Sequence, residues 1–97
     1  MTAVERVRDA SRAIAGSARP EAWIAVRDVQ ELIAEAAAID ARRARGERLP
    51  LAGWTVGVKD NIDVAGLPTT AACPEFAYLP VRDAVAVARL RAAGAIP

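Results

Sequence analysis

The sequence has 97 residues, with 13 basic and 12 acidic side chains, one cysteine and no histidine. A net charge of +1 produces no long-range field for a nucleic acid or an anionic membrane surface, so neither is an expected partner. Without histidine, and with one cysteine, the chain cannot hold a Ser-His-Asp or Cys-His nucleophile pair or a four-ligand zinc site. Those chemistries are excluded within this chain, and no residue pattern points to another metal or to a cofactor.

The single cysteine excludes an internal disulfide, which is typical of a reducing compartment. Charges stand at the N-terminus where a signal peptide has its apolar stretch, and no apolar run long enough to span a membrane follows. We expect a cytoplasmic protein. Hydrophobic residues make up 54% of the chain, but nearly half of them are alanine, which predicts a thin core.

Two helices are predicted in the first half. The first extends from residue 2 to about 15, with a capping box formed by Thr2 and Glu5 and a stop at Gly16. The second begins after Asp28 and ends at Gly46, a residue suited to the left-handed conformation that closes helices. Three arginines lie in its last turn, where their charge complements the negative end of the helix dipole. We favour this interpretation over a phosphate-binding site; the residues are Arg42, Arg43 and Arg45.

The second half begins with an alternating pattern. Trp54, Val56 and Val58 alternate with smaller or polar residues, which predicts a strand that ends at Lys59. Asp60 and Asn61 tolerate positive φ, so a tight hairpin back through residues 62–64 is expected. Residues 69–80 are predicted to be a loop.

A third helix is predicted from an N-cap at Asp83 to Gly94. Ala95 and Ile96 then look like the first residues of another strand, as in a strand-helix-strand unit. Such a chain would leave open sheet edges, which a complete domain avoids. We therefore expect it to be the front of a longer protein.

Lys59 is the only lysine among the 13 basic residues. Burial can lower the pKa of a lysine by several units, whereas arginine stays charged, so a lysine at a strand end can act as a general base. The alternative is that an arginine-rich composition simply leaves one lysine. The spacing does not choose between these interpretations.

The stretch Pro50–Thr70 closely resembles the first conserved block of the amidase signature family, and the similarity continues from Arg82 to Ile96. In that family the block carries the lysine of a Ser-cisSer-Lys triad, and Lys59 occupies its position. The resemblance implies an α/β fold with α/β/α layers, of which this chain supplies N-terminal helices, a short hairpin, one crossover helix and a truncated next strand. Residues 1–97 would be the N-terminal part of a single amidase domain, incomplete at its C-terminus.

The resemblance also implies the reaction, which is hydrolysis of a small-molecule amide through an acyl-enzyme. Within the family, Asp60–Pro74 is most similar to the allophanate hydrolase branch, which converts urea-1-carboxylate to ammonia and carbon dioxide. A general amidase and the amidase-type subunit of a tRNA-dependent amidotransferase are alternatives. Another is a non-catalytic remnant that pairs with a partner chain through its sheet edge. An authentic stop codon after Pro97 would favour the remnant. An open reading frame that continues into a Gly/Ser-rich stretch would favour the enzyme.

The two serines of the triad are expected beyond Pro97, and Ser11 and Ser17 cannot replace them because no glycine-rich turn surrounds either. The isolated chain should therefore be inactive. No feature indicates an oligomeric state.

Other residues have simpler interpretations. Cys73 is predicted to be a small buried hydrophobe rather than a reactive thiol. Asp60 is predicted to support a turn or to act indirectly on Lys59, the residue before it. Thr69 and Thr70 are predicted to be ordinary loop residues, with lining of the site as the alternative. The four aromatic residues are too scattered to form a stacking platform and are assigned to packing; they are Trp23, Trp54, Phe76 and Tyr78.

Overall fold

The computed structural model describes residues 1–97 and contains three α-helices. Helix α1 covers Ala3–Ala15, α2 covers Val29–Ala44 and α3 covers Val85–Ala92. Short 3₁₀ turns lie at Pro20–Ala22 and Pro74–Phe76. None of the helices combines the length and apolar character needed to cross a membrane.

The ends of α1 confirm the sequence signals. The Thr2 hydroxyl accepts a hydrogen bond from the backbone N–H of Glu5 at 3.1 Å, which satisfies one of the free donors of the first turn. The Gly16 N–H donates to Arg12 O at 2.9 Å and ends the helix. The predicted first helix is therefore confirmed at both ends.

Helix α2 is also confirmed. A carboxylate oxygen of Asp28 accepts from the Glu31 N–H at 3.3 Å, and the chain leaves the helix through Gly46 at φ +87°. That conformation is readily available to glycine and disfavoured for residues with a Cβ. The second helix therefore has the cap and the stop expected of it.

Helices α1 and α2 form the main packed unit. Their contact closes a small core whose side chains are almost wholly buried. Only 12 of the 97 residues are buried, so the thin core predicted from the alanine content is confirmed. The core cluster consists of Ala3, Val7, Ala36, Ile39 and Ile96.

The predicted strand ending at Lys59 is not formed. The chain there makes a single parallel bridge, between Thr55 and Ile96, with α3 lying between the two residues in sequence. Ile96 donates its N–H to Trp54 O at 2.8 Å and accepts from the Val56 N–H at 2.9 Å. The strand-helix-strand order is therefore present only as this single bridge, which joins one residue before α3 to one residue after it.

The predicted hairpin is wrong. A turn exists, since the Ile62 N–H donates to Lys59 O at 3.0 Å, but residues 62–64 do not pair with the preceding segment. The antiparallel pairing joins Thr69 and Tyr78 instead, through reciprocal backbone bonds of 2.8 and 3.1 Å. The physical reason is that the carboxylates of the turn region bond to the 69–78 loop. The α/β class therefore stays a prediction.

The third helix lies where predicted, but its N-cap was assigned to the wrong residue. Ala84 occupies the cap and gives no side-chain bond. The Asp83 carboxylate is occupied elsewhere, because one oxygen accepts from the Ala65 N–H at 2.8 Å and the other lies 2.9 Å from Arg91 Nε. Beyond the helix, Gly94 has φ +97°, as a helix stop requires.

Candidate active site

A cleft of about 680 Å³ lies between α1, the segment 22–27 and the segment 55–60. Most of its wall is apolar, and Lys59 is the one lysine in it. A mostly apolar cleft with few polar groups is the usual form of a small-molecule site. Its walls include Val7, Ile14, Trp23, Val56, Gly57 and Lys59.

Lys59 lies at the rim of this cleft and is exposed. Its amine makes no hydrogen bond and no ion pair, although Asp60 is the next residue. The lysine is thus available to a group that enters the cleft.

The segment 22–27 covers one side of the cleft through Trp23. A Cβ placed on Gly57 would lie 3.6 Å from two ring carbons of Trp23, so the indole faces Gly57. Trp23 remains 40% exposed as a residue. Trp23 therefore packs on the wall that leads to Lys59.

Packing explains the other aromatic residues only in part. The Arg6 guanidinium lies 4.9 Å from the centroid of the Trp54 ring, a cation–π contact. Phe76 and Tyr78 meet edge to face, with centroids 6.0 Å apart. All three aromatic side chains are exposed, so they do not belong to the core.

Asp60 is fastened to the loop at residues 70–72. Its Oδ2 accepts from the Thr70 hydroxyl and from the Ala72 N–H, the latter at 3.3 Å. Its backbone oxygen accepts from the N–H groups of Thr70 and Ala71 at 3.2 and 3.1 Å. Hydrogen bonds to the carboxylate, from the Thr70 hydroxyl first and then from the backbone N–H groups of residues 70–72, hold the pKa of the Asp60 carboxyl below its usual range. The expected turn-supporting role of Asp60 is confirmed.

The loop held by Asp60 contains a strained turn. Ala71 and Ala72 have φ of +51° and +60°, and the Cys73 N–H donates to Thr70 O at 2.8 Å. Two successive positive φ values with this bond define a type I′ turn, which normally contains glycine or asparagine. Each alanine costs roughly 1 kcal/mol in that conformation, so the bonds to Asp60 must offset the cost.

Cys73 is exposed, and the prediction of a buried cysteine is wrong. Cys73 is the last residue of the type I′ turn, and its Sγ lies 3.2 Å from a carboxylate oxygen of Glu75. Sequence periodicity could not reveal this, because two alanines gave no sign of a turn.

Thr69 and Thr70 do not line the cleft, which agrees with their interpretation as loop residues. Thr69 is buried, and its hydroxyl donates to Asp63 Oδ1 at 2.9 Å. The Tyr78 hydroxyl donates to the same oxygen, and this bond raises the pKa of Tyr78. Asp63 thus ties the two residues of the antiparallel bridge together.

Of the two serines considered, Ser11 lies on α1 and lines the cleft, whereas Ser17 follows the helix. The Ser17 hydroxyl accepts from the Arg19 N–H at 3.1 Å, and the Ser11 hydroxyl makes no hydrogen bond to Lys59. Neither serine is thus joined to the lysine.

Sequence reasoning missed a chain of ion pairs that begins at Arg27, a residue of the cleft wall. Arg27, whose side chain is 9% exposed, contacts Glu35 at 2.6 Å, and Glu35 contacts Arg91 at 2.7 Å. Burial opposes the charge of Arg27, but hydrogen bonds to Glu31 and Glu35 outweigh it and raise its pKa. Arg27 also donates to Pro97 O at 3.0 Å. Only the Glu31 contact has a helical spacing that the sequence could have indicated.

Residues 5–97 match the sequence model of the Amidase family. Urea amidolyase of Saccharomyces cerevisiae is 51% identical over 75 residues, which is 77% of this chain and 4% of that protein. The A-type subunit of glutamyl-tRNA(Gln) amidotransferase from a Roseiflexus species is 50% identical over 70 residues, 71% of this chain and 14% of the relative.

Among solved structures, the allophanate hydrolase of Kluyveromyces lactis superimposes with a TM-score of 0.77 at 38% identity. The match covers 99% of this chain and 16% of that one. The chain therefore spans a small fraction of the length of these relatives. The family match covers nearly the whole sequence and includes Lys59. The chain belongs to the Amidase family.

Proposed function

We propose that this chain is the lysine-bearing N-terminal part of an amidase domain that hydrolyses a C–N amide bond, with Lys59 as the general base. The observation that carries the proposal is the position of the only lysine, unpaired and at the rim of a mostly apolar cleft, within the segment that matches the family. The α/β/α layers and the incompleteness of residues 1–97 are parts of the same proposal.

The proposed chemistry is a relay of one proton. A serine supplied by the rest of the domain attacks the amide carbonyl and loses its proton, through a second serine on a cis peptide, to the neutral amine of Lys59. The acyl-enzyme forms as the C–N bond breaks, and the protonated lysine returns the proton to the leaving nitrogen. Water then hydrolyses the acyl-enzyme. The chemistry requires no metal or cofactor.

Allophanate is the substrate we propose. Its support is the likeness to urea amidolyase and to allophanate hydrolase, together with the segment Asp60–Pro74. The likeness to the glutamyl-tRNA(Gln) amidotransferase favours a second candidate, transfer of an amide nitrogen to glutamyl-tRNA. The full-length protein should release ammonia from allophanate; activity only with glutamine and glutamyl-tRNA would support the second candidate. A cytoplasmic location stays a prediction.

Lys59→Arg in the full-length protein tests the general base. Arginine keeps the positive charge but cannot accept a proton, so we expect turnover to fall by about 10³-fold or more. Ammonia release and the melting temperature are measured together. Arg48→Lys is the matched control, because Arg48 is exposed and unpaired and should tolerate the reverse exchange. Wild-type turnover in Lys59→Arg would remove the role of Lys59.

A further inference from the structure

The backbone around Lys59 has few supports of its own. The bridge between Thr55 and Ile96 fixes the segment four residues earlier, and the amides of Val58 and Lys59 make no backbone hydrogen bond. Lys59 O accepts one bond, from the Ile62 N–H, within a local turn. The location of the lysine therefore depends on what holds the next residue.

Asp60 supplies that support. It is held by two bonds to its backbone oxygen and two to Oδ2, all from residues 70–72. The Thr70 hydroxyl also accepts from the Ala72 N–H at 3.1 Å, so side chain and turn form one hydrogen-bonded unit. The Asp60 carboxylate is turned to this unit and makes no ion pair with Lys59.

From this arrangement we infer that Asp60 is a positioning residue, which places the Lys59 amine by clamping the lysine backbone to the Thr70–Cys73 turn. The inference rests on the proposed function. The clamp also keeps the carboxylate away from the base. A carboxylate that paired with a neighbouring lysine would favour the charged amine, which cannot accept a proton. With Oδ2 occupied by the turn, the carboxylate fixes position without pairing with the base.

The two left-handed alanines show that the clamp acts against a backbone cost. The turn would be more relaxed with glycine at either residue, so its present shape requires the contacts to Asp60. Loss of the carboxylate should let the turn and Lys59 shift together. A displacement of about 1 Å in a catalytic group can cost on the order of 10²-fold in rate.

The test compares variants of the full-length enzyme. We expect Asp60→Ala to lower kcat for allophanate hydrolysis by about 10- to 100-fold, with KM within about twofold of wild type, because the base is misplaced while the acyl pocket is untouched. Asp60→Asn should retain most of kcat, since one amide oxygen can accept both bonds made by Oδ2. Thr70→Val, which removes one donor and keeps the shape, should lower kcat in the same direction.

Glu21→Ala is the matched control, because Glu21 is exposed, does not line the cleft and has a carboxylate with no hydrogen bond or ion pair, so the change removes a negative charge without touching the clamp and should leave kcat unchanged. Melting temperatures show whether each variant is folded; if Asp60→Ala is not, Thr70→Val carries the test. Wild-type kcat in Asp60→Ala and Thr70→Val, or equal losses in Asp60→Asn and Asp60→Ala, would overturn the positioning role. Wild-type kcat in Lys59→Arg would overturn the base and its positioning together.

Discussion

At the scale of single residues, glycine conformation decides how closely segments approach. Gly53 has φ +76°, and a Cβ there would lie 2.6 Å from Ala3 Cα and 2.7 Å from Ala3 Cβ. Both atoms belong to the start of α1 and cannot move without moving the helix. Gly53 therefore allows the loop to lie directly on α1.

Gly53→Ala should destabilise the full-length protein by about 3 kcal/mol, from the left-handed backbone and the clash together. Denaturant unfolding measures the loss. Gly66→Ala is the control, because Gly66 has φ +83° but nothing within 4 Å, so only the backbone cost of about 1 kcal/mol remains. Equal losses in both variants would show that the contact with Ala3 has no effect.

Among the candidate site residues, the sequence indicated Lys59 by its uniqueness and by the family resemblance. It did not indicate the bonds of Asp60, because these join residues ten and twelve positions apart through a turn made of two alanines. Turn signals depend on glycine, proline and asparagine, and alanine at positive φ carries none. The exposure of Cys73 was missed for the same reason.

At the scale of elements, α2 caps α1. Asp40, in the C-terminal half of α2, accepts from the Ala3 N–H at 2.8 Å and the Val4 N–H at 3.2 Å. These are free donors of the first turn of α1, which the Thr2 hydroxyl alone cannot satisfy. The orientation of the two helices is thus set by hydrogen bonds as well as by the core.

Asp40→Ala should therefore lower the free energy of unfolding by about 1 to 2 kcal/mol, because two donors near the core lose their acceptor. Denaturant unfolding of the full-length protein measures the change. Asp9→Ala is the control, because Asp9 makes only an exposed pair with Arg12 at 3.5 Å and should change stability by less than about 0.5 kcal/mol. A loss in Asp40→Ala no larger than in Asp9→Ala would contradict the cross-helix cap.

The elements differ in how far the sequence predicted them. Helices α1 and α2 have local caps and stops, so their bounds could be read within about two residues. The strand and hairpin failed because strand pairing depends on a partner distant in sequence, and alternation at 54–58 does not identify that partner. The prediction of Asp83 as an N-cap failed for a similar reason. Its carboxylate bonds to Ala65 and Arg91, and no local sequence pattern indicates either partner.

At the scale of the whole molecule, the surface is large for the chain length. The accessible area is 6483 Å², whereas a folded protein of 10.2 kDa should expose about 5,300 Å². The radius of gyration of 13.9 Å also exceeds the roughly 12.5 Å expected for a compact domain of this size. Many large apolar residues contribute to this surface; they include Trp54, Phe76, Leu79, Val81 and Val85.

The chain produced alone should therefore be partly unfolded or aggregated, because its core is too small to offset the loss of conformational entropy. Size-exclusion chromatography and scanning calorimetry are the measurements. Solubility and a transition should appear when the same residues are part of the full-length protein. A soluble monomer of the isolated chain with a cooperative thermal transition would contradict this expectation.

Ile96 has a consequence for the order of events during synthesis. It is 1% exposed, completes the cluster formed by α1 and α2, and pairs with Thr55 across the whole third helix. A nascent chain can begin the two early helices, but their shared interior stays unfilled until the ribosome has added almost every residue described here. Contacts between residues so distant in sequence form slowly. Until they form, the apolar faces of α1 and α2 stay exposed, and a chaperone would bind such a surface.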